Sequence, residues 1–428
     1  MTRDKKLLDL EEQVYIKTKI LIIRPTDLII RLDELRRQTE NQSLRVAGTS
    51  ISKKRLKSGQ QNLVTDCFLA YAKSETKNSF VKRLHKFLAE PERFECYTIW
   101  EAQEKPVAII VYDRQEKHEL KLPLLRVKSD RLASTIARHL MLLFISTSAK
   151  EGRQFTKITD PYLEDVVIAA IQNDKFVQFE NGWLKANLTI TGTVSQLSLH
   201  LTHLGNTLGE KYNFCIKIAD NLKAEEAIVK DPQICADIEK TLYPAKIIDS
   251  NIPNFIVPIK PIWAEALFDE KLASQSCLSG LESSLELALR RECVYYRSVK
   301  NSGGLQAPGR ILWYISEDTR SYCNEQVGAI RACSRLDEII IGKPKNLYKQ
   351  FRRLGIYTYK DVWGRANNNE EGDVMALKFS DTELFNNPIN LANVKLISEG
   401  KIAVFSPYRI ESKVFEKLYN IGMSPFIN

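Results

Sequence analysis

The chain has 428 residues, long enough for two or three domains with separate cores. Hydrophobic residues make up 44% and charged residues 27%, ordinary proportions for a soluble globular protein, and no apolar run approaches the ~20 residues needed to span a bilayer. The net charge of +9 suits a nucleic acid or another polyanion as partner.

The opening MTRDKKLLDLEEQ is charged and lacks the apolar core of a signal peptide, so the expected location is the cytoplasm, with no membrane partner. Cysteines stand at 67, 96, 215, 235, 277, 293, 323 and 333 without a CxxC pair, and the histidines do not cluster with them. That spacing predicts no metal site and no disulfide framework, and most of the thiols are expected to be buried small hydrophobes.

Residues 1–18 read as a charged lead-in. Ile20 to Arg24 is a compact strand and Leu28 to Arg37 a helix with Asp27 at its start. Residues 38–60 read as a loop whose Lys53, Lys54, Arg55 and Lys57 form either a solvated face or a phosphate-contacting patch. Phe80 to Leu88 is helical, and Cys96 to Trp100 and Val107 to Tyr112 form a hairpin. Then comes HELKLPLLRVKSDRLASTIARHLM, residues 118–141. Leu120, Leu122 and Leu124 alternate as in a half-buried strand. A polar turn follows from Arg126 to Arg131, and Leu132, Ile136, Leu140, Leu143 and Phe144 then recur at helical steps. The first turn of such a helix carries unpaired N–H groups and the positive end of the dipole, which suits a phosphate or diphosphate. Arg153 to Thr159 reads as the next strand, Asp160-Pro161 as the start of a helix over Tyr162 to Asn173, and Phe176 to Leu188 as one or two strands.

The order β-α-α-β-β-β-α-β-α-β from Ile20 to Leu188, with the loop from strand to helix at 126–131, resembles the GNAT acetyltransferase superfamily. In that family an Arg/Gln-x-x-Gly-x-Gly/Ala loop grips the diphosphate of acetyl-CoA, and the pantetheine arm lies between two splayed strands. Leu132 falls on the Arg/Gln position, Thr135 on the first glycine and Ala137 on the second. The resemblance implies an acetyl-CoA site lined by Leu125, Val127, Ser129, Leu132, Ser134, Thr135, Ile136 and Ala137, with hydroxyls of Ser129, Ser134 and Thr135 as extra donors. It also implies a general base, for which Asp160 and Glu164 are the candidates. The family's thiolate-protonating tyrosine falls on Gln172. The alternative at each point stays open: a strand–helix unit without a ligand, and carboxylates that cap a helix N-terminus.

Residues 189–251 read as a mostly helical bridge, with Val194, Leu197, Leu201 and Leu204 on one face and a break at Asp231-Pro232. From Phe255 the pattern turns to strands: FIVPIKP, then helix IWAEALFD, then VYYRS at 294–298, ILWYIS at 311–316, a long strand at 328–341, a basic helix PKNLYKQFRRLG, and VMALKFSDTELF at 374–385. Over residues 252–398 this resembles the ASCH branch of the PUA-like fold, with its strand, Lys-Pro and helix at Ile259 to Phe268, its aromatic strand at Leu312 to Ser316 and its Phe-x-x-Pro-Ile turn at Phe385 to Ile389. The implied ligand is RNA, including tRNA or a modified base. Lys343, Lys345, Lys349, Arg352 and Arg353 are placed to meet phosphates. Arg331, alone on an apolar strand, is either a site residue or half of an internal pair with Glu292 or Asp337. Phe351, Tyr295, Tyr296, Trp313 and Tyr314 are expected in the interior. The tail over Tyr408 to Met423 reads as an amphipathic helix.

The fold class is therefore α/β (α+β). A GNAT-like mixed-sheet domain over 19–188 is followed by the helical bridge over 189–251. A PUA-like β-barrel with flanking helices over 252–398 and a C-terminal helix over 399–428 complete the chain. Two functions follow. One is an acetyl-CoA-dependent N-acyltransferase acting on RNA or guided by it. The other is a catalytically degenerate RNA-binding regulator, extending to a toxin or defence component that works with a separate PIN-type nuclease, since proteins of this arrangement can carry such a nuclease.

Overall fold

A computed structural model describes residues 51–56, 61–101, 105–130, 132–223, 228–269, 291–317, 327–400, 402 and 404–424. The lead-in, the strand at 20–24, the helix at 28–37, Lys57, Cys277 and Cys323 lie outside the described residues.

The first unit runs β1 (Ile51–Arg55), α1 (Gln61–Phe68), α2 (Lys77–Ala89), β2 (Phe94–Glu101), β3 (Lys105–Asp113), β4 (Glu119–Val127), α3 (Ala133–Lys150), β5 (Phe155–Ile158), α4 (Asp165–Asn173), β6 (Val177–Phe179) and β7 (Gly182–Ala186). Its sheet order is β1-β2-β3-β4-β5-β7-β6. β4 and β5 run parallel, and their ladder covers only Glu119–Leu122 against Phe155–Ile158. From Leu124 onward β4 has no β5 partner. Both faces of the sheet are covered. Leu120, Leu122, Leu125 and Val127 pack with Ile136, Leu140 and Phe144 of α3, while Leu124, Ile109 and Val111 pack with Phe80 and Leu84 of α2. Each such fully buried aliphatic side chain contributes about 1.5–3 kcal/mol.

Two expectations need correcting here. Residues 51–55 are an edge strand, not loop, paired with β2 from Ile51↔Glu101 to Arg55↔Tyr97. The strand tolerates its cations because the Lys53 ammonium lies 4.0 Å over the Tyr97 ring. The helix expected from Tyr162 begins only at Asp165, because residues 159–164 lie along the free edge of β4, as described below.

The bridge holds β8 (Thr191–Gly192), α5 (Val194–Leu208), α6 (Asn213–Lys223), α7 (Pro232–Thr241) and β9 (Lys246–Ile247). Thr193 and Gln196 form a capping box on α5, and Asp231 caps α7 with Pro232 in its first turn.

The last part runs β10 (Asn254–Ile259), α8 (Pro261–Leu267), β11 (Glu292–Ser298), β12 (Gly309–Ile315), β13 (Ala329–Gly342), α9 (Pro344–Phe351), α10 (Tyr359–Arg365), β14 (Val374–Asn390), α11 (Leu391–Ile397), β15 (Tyr408–Ile410) and α12 (Ser412–Met423). The strand order is β11-β14-β13-β12-β10-β15. No ladder joins β11 to β15 among the described residues, so the expected barrel is here an open six-stranded sheet. The tail is not helical throughout: Tyr408 to Ile410 pair with β10 before α12 begins. The aromatics sit inside as expected. Trp313 is fully buried with its indole N–H 2.8 Å from Ser334 Oγ, and the Tyr296 hydroxyl donates to the Leu347 carbonyl.

Buried ion pairs join the three parts. Arg291 donates from both Nη atoms to the Asp174 carboxylate at 2.5 Å and from Nε to Asp381 Oδ1 at 2.6 Å. Arg138 of α3 pairs with Glu292. The Lys185 ammonium, whose pKa burial pulls down to about 7, donates to the carbonyls of Asp174, Lys240 and Thr241. Lys246 of β9 pairs with Glu383 of β14 at 3.0 Å, and Arg310 of β12 with Glu239 of α7. No helix among the described residues is long and apolar enough to cross a membrane.

Candidate functional site

β5 ends at Ile158, so the β4 edge from Pro123 to Val127, where the resemblance implies a pantetheine arm, has no β5 partner. A strand edge of this kind presents backbone N–H and C=O groups that must find partners. Here the protein supplies them itself. The Pro123 carbonyl accepts from Arg83 Nη2 at 2.8 Å. The Leu125 amide donates to Asp160 Oδ2 at 2.9 Å, and the Leu125 carbonyl accepts from Arg126 Nη1 at 3.2 Å. The Val127 amide faces the Glu164 carboxylate.

The side chains that do this form one buried network. Arg126 pairs with Asp160 through Nη1, lies 3.4 Å from both Glu75 oxygens through Nη2, and has its Nε 3.9 Å from Glu164. Arg83 bridges Glu75 at 3.0 Å and Asp160 at 3.2 Å. The side chains of Arg126, Glu75 and Asp160 are fully excluded from solvent. Tyr162 closes the arrangement, with both guanidinium groups within 6 Å of its ring centre. Each arginine thus meets at least two carboxylates, which a buried guanidinium requires. This is why residues 159–164 stay out of helix: Asp160 takes bonds from β4 and from the Tyr162 amide.

The sequence-derived base candidates therefore have structural surroundings. Asp160 is 3% exposed and held between two arginines, leaving it no path to an amine. Burial raises the Glu164 carboxyl pKa, and its Oε2 is buried without a hydrogen-bond partner. Glu164 occupies the N-cap position of α4 without capping it.

At the start of α3, where the diphosphate is expected, the first amides have partners within the chain. Asp130 Oδ1 accepts from the Leu132 amide at 2.8 Å, placing a carboxylate at the α3 N-terminus where an anionic ligand would go. Leu125, Val127, Leu132, Ile136 and Ala137 are core residues. Ser129 and Ser134 are exposed and Thr135 half-buried. The residues that line the free edge of β4 are Arg83, Arg126, Asp160 and Glu164. Gln172 is exposed.

The proposed nucleic-acid residues divide. Arg331 is internal, with Nε 2.6 Å from Asp269 Oδ2. The partner is neither Glu292 nor Asp337, since Glu292 is taken by Arg138 and Asp337 by Arg335. Lys343 is held by Asp373 at 3.3 Å and by the Glu371 carbonyl, and Arg352 is half-buried. Lys345 and Lys349 stand one turn apart on the exposed face of α9, and Arg353 is exposed just past its end. The opposite face, with Leu347, Tyr348 and Phe351, is buried.

No protein family and no curated protein matches the chain. Solved structures do. The ASCH protein of Zymomonas mobilis is 16% identical, covers 39% of this chain and 94% of its own, and gives a TM-score of 0.29. The spermidine N-acetyltransferase of Vibrio cholerae, in complex with CoA and spermine, is 9% identical, covering 32% and 93%, with a TM-score of 0.25. The PaiA N-acetyltransferase of Thermoplasma acidophilum, in complex with coenzyme A, is 12% identical, covering 32% and 96%, with a TM-score of 0.26. Each of these structures is matched over nearly its whole length by between three and four tenths of this chain. In the first unit the Pro123 and Leu125 carbonyls and the Leu125 and Leu132 amides, four of the backbone groups along the expected cofactor path, are already bonded within the chain.

Proposed function

We propose that this protein is a non-catalytic RNA-binding regulator. The GNAT-like domain serves as a folded support, and the ASCH-like domain meets RNA through the exposed face of α9. The observation that carries the first half is the bonding of the free edge of β4 by Arg83, Arg126, Asp160 and Glu164. The second half is supported by Lys345, Lys349 and Arg353, which stand in solvent on one segment of a chain with net charge +9. Phosphate neutralisation by such cations releases counterions, so affinity falls with salt.

The test is an electrophoretic shift with single-stranded RNA across a salt series. Wild type is expected to bind with a steep salt dependence. Replacing Lys345, Lys349 and Arg353 together by glutamine is expected to flatten the slope of log K against log salt by about 2. A slope unchanged by the triple substitution would place RNA elsewhere or nowhere.

A further inference from the structure

A cavity of about 30 Å³ lies where α7 of the bridge meets β13 and β14, with room for about two water molecules. Its inner wall is self-contained. Arg310 donates to Glu239, Asn254, the Ile247 carbonyl and Ser250, and Lys246 donates to Glu383 and the Pro244 carbonyl. Its outer wall is not. Lys240 Nζ has no hydrogen-bond or ion-pair partner among the described residues. Arg335 spends only Nε, on Asp337 at 2.6 Å, and its two Nη groups have no partner among the described residues.

The nearby carboxylates do not make up the difference. Asp381 is committed to Arg291 at 2.6 Å, Asp174 to Arg291 through both oxygens, and Asp337 to Arg335. The cavity lining itself carries Lys240, Lys246, Arg310 and Arg335 against Glu239, Asp381 and Glu383, one cation in excess. Burial and then the charge of Arg335 depress the Lys240 pKa. Two half-buried cations lining one cavity, with donors unused within the chain, favour an anion between them.

We propose that this cavity is a phosphate-binding site, in which Lys240 Nζ and the Nη groups of Arg335 take the oxygens of one phosphate group. The cavity is small and opens to solvent, so the phosphate sits at its mouth, as inorganic phosphate or as the terminal phosphate of a nucleotide chain lying outside. Because Lys240 belongs to the bridge and Arg335 to the ASCH-like sheet, the bound phosphate fastens one to the other. The site is separate from α9 and does not depend on the RNA reading above.

Thermal denaturation of the full chain, in phosphate and in chloride at equal ionic strength, is the test. Phosphate is expected to raise the midpoint by a few degrees and to saturate in the millimolar range. Lys240→Gln is expected to abolish the rise, and Lys217→Gln, the same charge change at an exposed position of α6, to keep it. Lys240 makes no side-chain bond, so its variant is expected to fold as wild type, with circular dichroism as the check. A 5′-phosphorylated oligoribonucleotide is compared with its 5′-hydroxyl form. A rise specific to the former assigns a terminal phosphate, and a rise with inorganic phosphate alone assigns the free ion. No rise in wild type, or an equal rise in Lys240→Gln, overturns the site.

Discussion

Replacing Arg126 by methionine is expected to destabilise the protein by roughly 3–5 kcal/mol, the range for removing one partner from a buried ion pair. Arg126 has no solvent exposure, and it neutralises Asp160 and Glu75, which have none either. Without it, Arg83 alone must serve both carboxylates while the Leu125 carbonyl loses its donor. Urea unfolding measures the loss. Removing charge on both sides, with Arg126→Met and Asp160→Leu together, is expected to cost clearly less than the sum of the single changes, because no unpaired charge is created between them. A single Arg126→Met variant as stable as wild type would mean that water enters the network and it is not closed.

Arg291→Met is expected to have an effect of the same order, roughly 3–5 kcal/mol, for the same reason, but with a different signature. Arg291 binds Asp174 at the end of α4 and Asp381 on β14, so it ties the seven-stranded sheet's unit to the six-stranded one. Its loss leaves two buried carboxylates facing each other across the junction. Scanning calorimetry is expected to show the wild-type transition dividing into two as the units uncouple. One transition, displaced by less than a degree, would show that the apolar contacts alone hold the junction.

Much of the fold was legible because periodicity reports burial directly. Leu120 and Leu122 share a face, though Leu124 packs on the other where the pairing with β3 is irregular, the α3 leucines and isoleucine recur at helical steps, and Trp313 sits on a strand of apolar neighbours. The element order from Phe80 to Leu188 follows from such patterns. What escaped is equally instructive. ISKKR at 51–55 has one apolar residue in five, and it is a strand because β2 offers it a ladder and Tyr97 shelters a lysine stem. That is tertiary context, which no window of five residues contains.

The free edge of β4 was half legible. A strand and a helix joined by a polar loop were visible, as was the absence of the usual glycine. Its contents were not, because Glu75, Arg83, Arg126 and Asp160 meet from four separate segments. One signal was present: Arg126 follows LPLL and precedes Val127, a charge set among apolar residues. The reasoning applied to Arg331, that such a charge needs a partner, holds for both arginines. Arg331 found Asp269, Arg126 found Asp160, and neither partner was nearby in sequence.

Isothermal titration of acetyl-CoA into the full chain bears most directly on whether the edge of β4 is closed. No saturable heat is expected up to millimolar ligand, since Asp160 and Arg126 hold the backbone of Leu125 and Asp130 holds the start of α3. A saturable isotherm in the micromolar range, matched by a rise in the unfolding midpoint, would contradict this and return the protein to the acyltransferases.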